Sequence, residues 1–149
     1  MSAAPNRRVV TGLDADGKSC VIIDETMSRH GGLSDAIWRS AIPADNSGST
    51  DMAAAHTAEM LHDGGSNFIL ITFPPGMGPF WHATDTIDYI VVLTGQITMQ
   101  LEAGEVVLQP GNFIVDRGVN HAWRNDTAEP ASMACVTIPA LPVGAGRTI

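Results

Sequence analysis

Short runs of alternating or β-branched apolar residues recur along the chain, and clusters of glycine, proline, asparagine or aspartate end each run. The first half contains RRVVTGL, SCVIIDE and DAIWRSAI. The second half contains SNFILITF, DYIVVLTG, QITMQLE, VVLQ, NFIVD, HAWRN and ASMACVTI. Strands this short, at this spacing, predict an all-β fold built as an antiparallel sandwich or small barrel.

One segment, residues 43–65, departs from the strand pattern because it is polar and then rich in alanine. Thr50 or Asp51 could cap a short helix that runs through Met60 and Leu61. A long ordered loop is the alternative, and loops of such length in compact domains are often functional.

The strand pattern shows no internal repeat, so we expect one domain in three parts. Residues 1–66 hold the N-terminal strands and the connecting loop or short helix. Residues 67–140 form the barrel core, and residues 141–149 form a tail that we interpret as an arm or a loose end.

Charge and cysteine content narrow the function classes. The 149 residues carry a formal net charge of −8 with Lys18 as the only lysine. Binding to nucleic acid or to an anionic membrane requires a basic patch on the protein, so both partners are disfavoured.

Cysteine content and the N-terminal residues bear on the compartment. Cys20 and Cys135 are too few for a disulfide framework, and the first residues lack the apolar core of a signal peptide. We therefore expect a soluble cytoplasmic protein.

The stretch GMGPFWHATDTIDYIVVLTG contains the first chemical motif. Gly76, His82, Thr84, Asp88 and Gly95 stand at the intervals of a glycine, a histidine-x-histidine pair, a carboxylate and a second glycine. This arrangement resembles the first motif of the cupin superfamily. Thr84 replaces the usual second histidine, and Asp88 replaces the usual longer glutamate.

The stretch PGNFIVDRGVNHAWRN resembles the second cupin motif through Gly111, Gly118, His121 and Asn125. Its first half is one residue shorter than usual, and Asp116 stands where proline is usual. Together the two motifs imply the cupin double-stranded β-helix, a small antiparallel β-barrel or jelly roll.

In cupins the motif residues converge on one divalent metal inside the barrel, because alternate strand residues face one side. The resemblance therefore implies His82, Asp88 and His121 as ligands of iron, manganese, zinc or nickel. Three readings stay open at this point. The site holds a metal with these three ligands, His56 or His62 completes it, or it is metal-free with His82 and His121 as acid and base.

The remaining residues of the site follow from strand parity and from charge. A buried Asp88 needs a partner, which could be a metal, one of the two histidines or Arg124. Thr84 either binds substrate or water, or favours the turn. A pocket wall for an apolar substrate is expected from Met77, Phe80, Trp81 and Trp123.

Three functions are compatible with these residues. The first is a metal-dependent oxidoreductase or oxygenase that acts on an apolar or aromatic small molecule. Cupin-domain oxidoreductases encoded beside fungal polyketide pathways are similar around HATDTIDY and HAWRN. The second is a lyase, isomerase or dehydratase that uses His82, Thr84, Asp88 and His121. The third is a non-catalytic barrel that binds a small ligand.

A homodimer is also expected from the resemblance. Cupins often pair through an exchanged N-terminal strand, for which RRVVTGL or DAIWRSAI could serve, and unpaired strand edges favour such pairing.

Overall fold

A computed structural model describes residues 6–27 and 30–149 of the chain, so residues 1–5 and 28–29 of the predicted first region lie outside it. The described residues form twelve strands and one short 3-10 helix, Ala58–His62. In chain order the strands are β1 Arg7–Leu13, β2 Ser19–Thr26, β3 Ser34–Ser40, β4 Ala54–Ala55, β5 Ser66–Phe73, β6 Phe80–His82, β7 Thr86–Thr94, β8 Ile97–Leu101, β9 Gly104–Leu108, β10 Phe113–Asp116, β11 His121–Arg124 and β12 Ala131–Pro139.

The strands form three antiparallel sheets, which confirms the predicted all-β class. A six-stranded sheet has the order β10-β7-β12-β5-β3-β4, and a four-stranded sheet has the order β6-β11-β8-β9. The hairpin β1–β2 forms a third, separate sheet. The two larger sheets face each other, since the buried core contains residues of both.

Strand β12 shows why the sequence adopts this arrangement. It lies between β5 and β7, and its residues alternate between buried and half-buried along most of its length. Ala131, Met133, Cys135 and Thr137 face the interior. The period of two in ASMACVTI therefore places one face of the strand in the core, as a strand paired on both sides requires.

The N-terminal hairpin is attached to the sheets through Arg8, which is only 4% exposed. Its guanidinium lies 2.6 Å from Asp51 and 2.6 Å from Glu25, and it donates to the Ile37 carbonyl at 3.3 Å. A buried guanidinium needs such partners because desolvation of an unpaired charge is costly. Asp51 thus anchors the hairpin and does not cap a helix.

The connecting segment 43–65 is a loop for most of its length. Its Ala54–Ala55 pairs briefly with β3, and the 3-10 helix begins at Ala58, later than a cap at Thr50 or Asp51 would require. Across the described residues, no helix has the length and apolar character needed to cross a membrane.

The C-terminal tail, residues 141–149, which we interpreted as an arm or a loose end, is docked against the barrel. Thr148 N donates to the Ala83 carbonyl at 2.9 Å, and Ala83 N donates to Thr148 Oγ1 at 2.9 Å. Arg147 N donates to Asp85 Oδ1 at 2.9 Å. These bonds hold the tail beside the connection between β6 and β7, and they place Ile149 at the central cavity.

The strands proposed for dimerisation are both used within the single chain. RRVVTGL pairs with β2, and DAIWRSAI supplies β3 of the six-stranded sheet. The homodimer stays a prediction.

Candidate active site

A cavity of about 390 Å³ lies between the two larger sheets. Most of its wall is apolar. The apolar lining includes Leu61, Ile69, Ile71, Phe73, Ile90 and Met133, and the polar lining includes His56, His82, Thr84, Asp88, His121 and Thr137. A mostly apolar cavity with a few convergent polar groups is the usual form of a small-molecule site.

The two motif histidines are neighbours in the lining of this cavity. His82 on β6 and His121 on β11 are direct partners in the antiparallel ladder, and their ring centroids are 4.4 Å apart. His121 is 2% exposed. The sequence prediction that the two motifs bring these histidines together therefore agrees with the structure.

Each histidine is held by a backbone carbonyl two residues earlier. His82 Nδ1 lies 3.1 Å from the Phe80 carbonyl, and His121 Nδ1 lies 2.9 Å from the Val119 carbonyl. A carbonyl oxygen only accepts, so Nδ1 carries the hydrogen and Nε2 of the neutral ring has the lone pair. Burial and, second, the neighbouring His121 lower the pKa of His82, so its neutral form is favoured.

Asp116 lies directly behind His121. Its Oδ2 is 3.0 Å from His121 Nδ1, and both side chains are almost fully buried. Since the Nδ1 hydrogen is directed to Val119, this contact is electrostatic, and within residues 6–27 and 30–149 Oδ2 has no hydrogen-bond partner. Asp116 Oδ1 accepts from Gly118 N at 3.1 Å and Val119 N at 3.3 Å. We did not predict a functional role for Asp116, although a carboxylate at a position where proline is usual was a signal.

Gly118 makes this arrangement possible. Its φ of +74° is a left-handed conformation that favours glycine, and a Cβ there would lie 2.5 Å from the Thr84 carbonyl oxygen. The turn before His121 therefore packs directly against the connection between β6 and β7. This close approach brings the Asp116 turn beside the residues of the first motif.

Thr84, Thr86 and Asp88 form a chain of hydrogen bonds. Thr86 Oγ1 donates to Asp88 Oδ1 at 2.6 Å, so its one hydrogen is used there. Thr84 Oγ1, at 2.7 Å from Thr86 Oγ1, must then be the donor of that bond. Thr84 is 4% exposed, and its side chain belongs to a polar network within the barrel rather than only to a turn.

Asp88 is an unusually basic carboxylate. Burial raises its pKa to about 6, the Thr86 hydroxyl opposes this rise, and the nearby Asp116 carboxylate adds to it. Asp88 and Asp116 are direct partners across β7 and β10. Arg124, which we considered as a partner of Asp88, instead pairs with Asp126 and Glu105 at the surface.

The donor set fits a resident divalent ion only in part. His82 and His121 present Nε2 lone pairs, as histidine ligands held by a backbone carbonyl do. Thr84 offers a neutral hydroxyl that already donates to Thr86, and the Thr86 hydroxyl occupies Asp88 Oδ1. Among the described residues, no group of three histidine, cysteine, aspartate or glutamate side chains is placed to hold a metal ion. His82, Asp88 and His121 as a three-ligand metal site therefore stay a prediction.

The four predicted pocket residues do not all face the cavity, because successive residues of a strand point to opposite faces. Met77, Phe80 and Trp123 line the cavity. Trp81 does not, which corrects its predicted place in the pocket wall. Phe80 and His82 share one face of β6, so Trp81 between them points to the other face, where it is 43% exposed.

The two other candidate histidines, His56 and His62, differ in whether they line the cavity. His56 lines the cavity, and its Nδ1 lies 3.1 Å from Ser34 Oγ. His62 lies outside the lining, and its Nε2 accepts a hydrogen bond from Asp85 N at 3.3 Å. His56 thus reaches the cavity, as we had considered, although not as a member of a metal-binding cluster.

Comparison with known proteins agrees with this fold and these motifs. The Cupin_2 family model, described as "Cupin domain", matches residues 69–137. The oryzines biosynthesis cluster protein J of Aspergillus oryzae is 35% identical over 82 residues, which are 54% of this chain and 46% of that protein. The chain thus matches less than half the length of that relative.

Two relatives are matched over longer stretches. The cupin-domain-containing oxidoreductase fogC of Aspergillus ruber is 32% identical over 80% of this chain and 64% of its own length. The cupin-domain-containing oxidoreductase srdB of Neurospora crassa is 30% identical over 85% of this chain and 69% of its own length. Both motifs, the antiparallel barrel and these matches lead to one conclusion: the chain belongs to the cupin superfamily.

Proposed function

We propose that the protein is an enzyme that transfers protons on a neutral apolar or aromatic small molecule, as a lyase, isomerase or dehydratase does. One observation carries the proposal. A carboxylate with a pKa of about 6, Asp88, shares a mostly apolar cavity with the His82–His121 pair. Titratable groups with shifted pKa values inside a cleft mark acid–base sites.

Asp88 acts as the base of this reaction. At neutral pH it is mostly ionised, yet it accepts a proton more readily than an ordinary aspartate because its charged form is poorly solvated. Thr86 holds one carboxylate oxygen, Oδ1, and leaves Oδ2 for the substrate. The Thr84–Thr86 chain thus orients the base.

His121, when its ring is protonated at both nitrogens, gives the Nε2 proton to the substrate while Asp88 keeps the proton it has taken, and exchange with solvent then restores both groups. Its ring is fixed by the Val119 carbonyl, and the Asp116 carboxylate 3.0 Å from Nδ1 stabilises positive charge on the ring. Asp116 is therefore a positioning residue that acts through His121. His82, kept neutral by burial, accepts a hydrogen bond from the substrate at Nε2.

Hydrogen exchange provides the test. The protein is incubated in D2O with apolar cyclic ketones, including the two-ring ketone 2-tetralone, and NMR follows the loss of the protons beside the carbonyl. We expect the wild type to accelerate exchange, with a rate that rises through pH 6 as Asp88 ionises. Asp88→Asn and His121→Gln should each lower the rate by roughly 100-fold or more.

Asp126→Asn is the matched control, because Asp126 pairs with Arg124 at the surface. Its exchange rate should equal that of the wild type. The proposal is contradicted if the wild type accelerates no ketone of the panel, or if Asp88→Asn exchanges as fast as the wild type.

A metal-dependent oxidoreductase is the second candidate, favoured by the two available Nε2 atoms. The relatives fogC and srdB, which carry the word oxidoreductase in their names, agree with it. His82 and His121 would hold the ion, with water or substrate as the remaining ligands, and the ion would supply redox or Lewis-acid chemistry.

Elemental analysis separates the two candidates. A stoichiometric metal in protein purified without chelators, lost in both His82→Ala and His121→Ala, would support the second candidate. Substoichiometric metal in wild-type protein that still exchanges protons would support the first.

A further inference from the structure

The face of the six-stranded sheet that points away from the cavity is apolar. Tyr89 lies on this face, because its neighbours Asp88 and Ile90 line the cavity and successive strand residues point to opposite sides. The strand register aligns one residue from each of five neighbouring strands in a row across it, namely Val115, Tyr89, Val136, Phe68 and Trp38. Val115, Tyr89 and Phe68 are 60%, 49% and 40% exposed.

The rows on either side have the same character. On one side Phe113, which is 81% exposed, pairs with Val91, and Val91 pairs with Ala134. On the other side Ile87 pairs with Ile138. We call this surface the outer face, and it consists of Trp38, Phe68, Ile87, Tyr89, Val91, Phe113, Val115, Ala134, Val136 and Ile138. None of these side chains is charged, although the chain has 16 acidic and 8 basic residues.

The outer face is large enough for a stable protein contact. Five strands about 4.8 Å apart and three rows about 7 Å apart cover roughly 25 Å by 20 Å, or about 500 Å² in flat projection. Side chains that stand out of a sheet add accessible surface to this projection. The outer face thus approaches the ~800 Å² that each partner contributes to a standard interface. An exposed apolar patch of this size marks an interaction site.

The composition of the outer face favours a second copy of this chain as the partner. Homodimer interfaces are more apolar than those of non-obligate complexes, which resemble ordinary protein surface. Two copies that each carry a net charge of −8 repel each other, and the outer face adds no charge to the contact. A two-fold contact places a surface against itself, and an uncharged apolar surface is complementary to itself.

We propose that two copies of the chain pack through their outer faces, sheet against sheet, while the hairpin β1–β2 stays within each copy. This contact differs from the strand exchange that the cupin resemblance implies. It goes beyond the proposed function and does not depend on it. The cavity lies behind the opposite face of the sheet, so the contact leaves it uncovered.

Sedimentation velocity of the full chain, at concentrations up to roughly 100 µM, tests the contact. The wild type should sediment with twice the 15.7 kDa mass of one chain. Tyr89→Glu and Phe68→Glu should each weaken the dimer by roughly 100-fold or more, because a two-fold contact buries each introduced charge twice. Both positions are exposed in the single chain, so circular dichroism should show an unchanged fold.

Two matched controls introduce the same charge elsewhere. Val107→Glu changes a residue that is 50% exposed on β9 of the four-stranded sheet. Val21→Glu changes a residue that is 55% exposed on β2, so it tests exchange of the hairpin. Both variants should remain as dimeric as the wild type.

A chemical measurement reports on the outer face without a substitution at the reporting residue. Tyr89 is the only tyrosine of the chain. Its acetylation by N-acetylimidazole, followed by mass spectrometry of the Tyr89 peptide, should be several-fold slower in the wild type than in Phe68→Glu. The contact covers Tyr89 in the dimer, whereas the monomeric variant exposes it.

Any of four results would overturn the inference. The wild type is monomeric at the highest concentration, Tyr89→Glu and Phe68→Glu remain as dimeric as the wild type, one of the two controls dissociates the dimer as strongly as they do, or Tyr89 is acetylated at the same rate in the wild type and in Phe68→Glu.

Discussion

The two cupin motifs of this chain have changed in opposite directions. The first motif has one histidine fewer than usual, because Thr84 stands in its place, and a shorter carboxylate, because Asp88 stands in place of a glutamate. The second motif keeps His121 and gains a carboxylate, Asp116, where proline is usual. In the structure these changes meet, since Asp88 and Asp116 are partners across β7 and β10.

On the proposed function, these differences suit the barrel to proton transfer. The hydroxyls of the first motif form a chain that orients Asp88, and the carboxylate of the second motif lies behind His121. Two carboxylates in one buried corner repel each other, and this repulsion adds to the effect of burial on the pKa of Asp88. On the proposed function, the altered first motif supplies the base and the altered second motif supplies the charge behind its histidine partner.

The largest effect is expected when the first motif is returned to its usual form. Thr84→His with Asp88→Glu supplies two ligands beside His82 and His121, so the double variant should bind Zn²⁺ on the order of 1000-fold more tightly than the wild type. Competition with a chromophoric chelator measures this ratio. Equal affinities would mean that the wild-type site is already a metal site.

The second motif is tested by Asp116→Asn, which still accepts from Gly118 N and Val119 N through Oδ1. Loss of the charge behind His121 should lower the exchange rate constant by roughly 100-fold. The acidic limb of the pH profile should also move to lower pH, because Asp116 raises the pKa of Asp88. A purely structural role would change stability but would not shift that limb.

Stability should depend on pH through Asp88. Its folded-state pKa of about 6 lies above its ordinary value of 3.8, so the folded state holds the proton more readily. Ionisation therefore destabilises the fold as pH rises from about 4 to about 6. Because Asp88 is partly exposed, water screens part of the cost of its charge. We therefore expect Asp88→Asn to be more stable than the wild type by about 2 kcal/mol at pH 8 and to lose this advantage at pH 4. Urea unfolding at the two pH values measures the difference, and a constant difference would contradict the buried charge.

The smallest effect is expected for Thr84→Val, which keeps the shape and removes the hydroxyl that donates to Thr86. We expect a loss of about 1 kcal/mol in the free energy of unfolding and a modest loss of rate, because Thr86 still donates to Asp88. Thr94→Val is the matched control, since Thr94 bonds Ser132 at the exposed end of its strand. An equal loss of stability and rate in Thr94→Val would mean that the Thr84–Thr86–Asp88 chain of hydrogen bonds has no special role.

The fold was predictable because its signals are local. Period-two runs and turn glycines define the strands, and motif spacing places His82 and His121 as ladder partners. The same alternation would have excluded Trp81 from the pocket had it been applied to Phe80, Trp81 and His82 together.

The rest of the site depends on contacts between distant segments, which spacing does not encode. The path of residues 43–65 decides that His56, and not His62, lines the cavity. The docked tail depends on bonds from Thr148 to Ala83, across a long separation in sequence. Asp116 could be located from the second motif, but its effect on Asp88 requires the register of β7 and β10.

Direct titration of Asp88 is the most decisive measurement. With 13C-labelled aspartate carboxyls, the Asp88 signal is identified by its absence in Asp88→Asn, and its shift is followed by NMR from pH 3 to pH 8. The account predicts a midpoint near pH 6 that falls in Asp116→Asn. A midpoint near pH 4 that does not respond to Asp116 would contradict it.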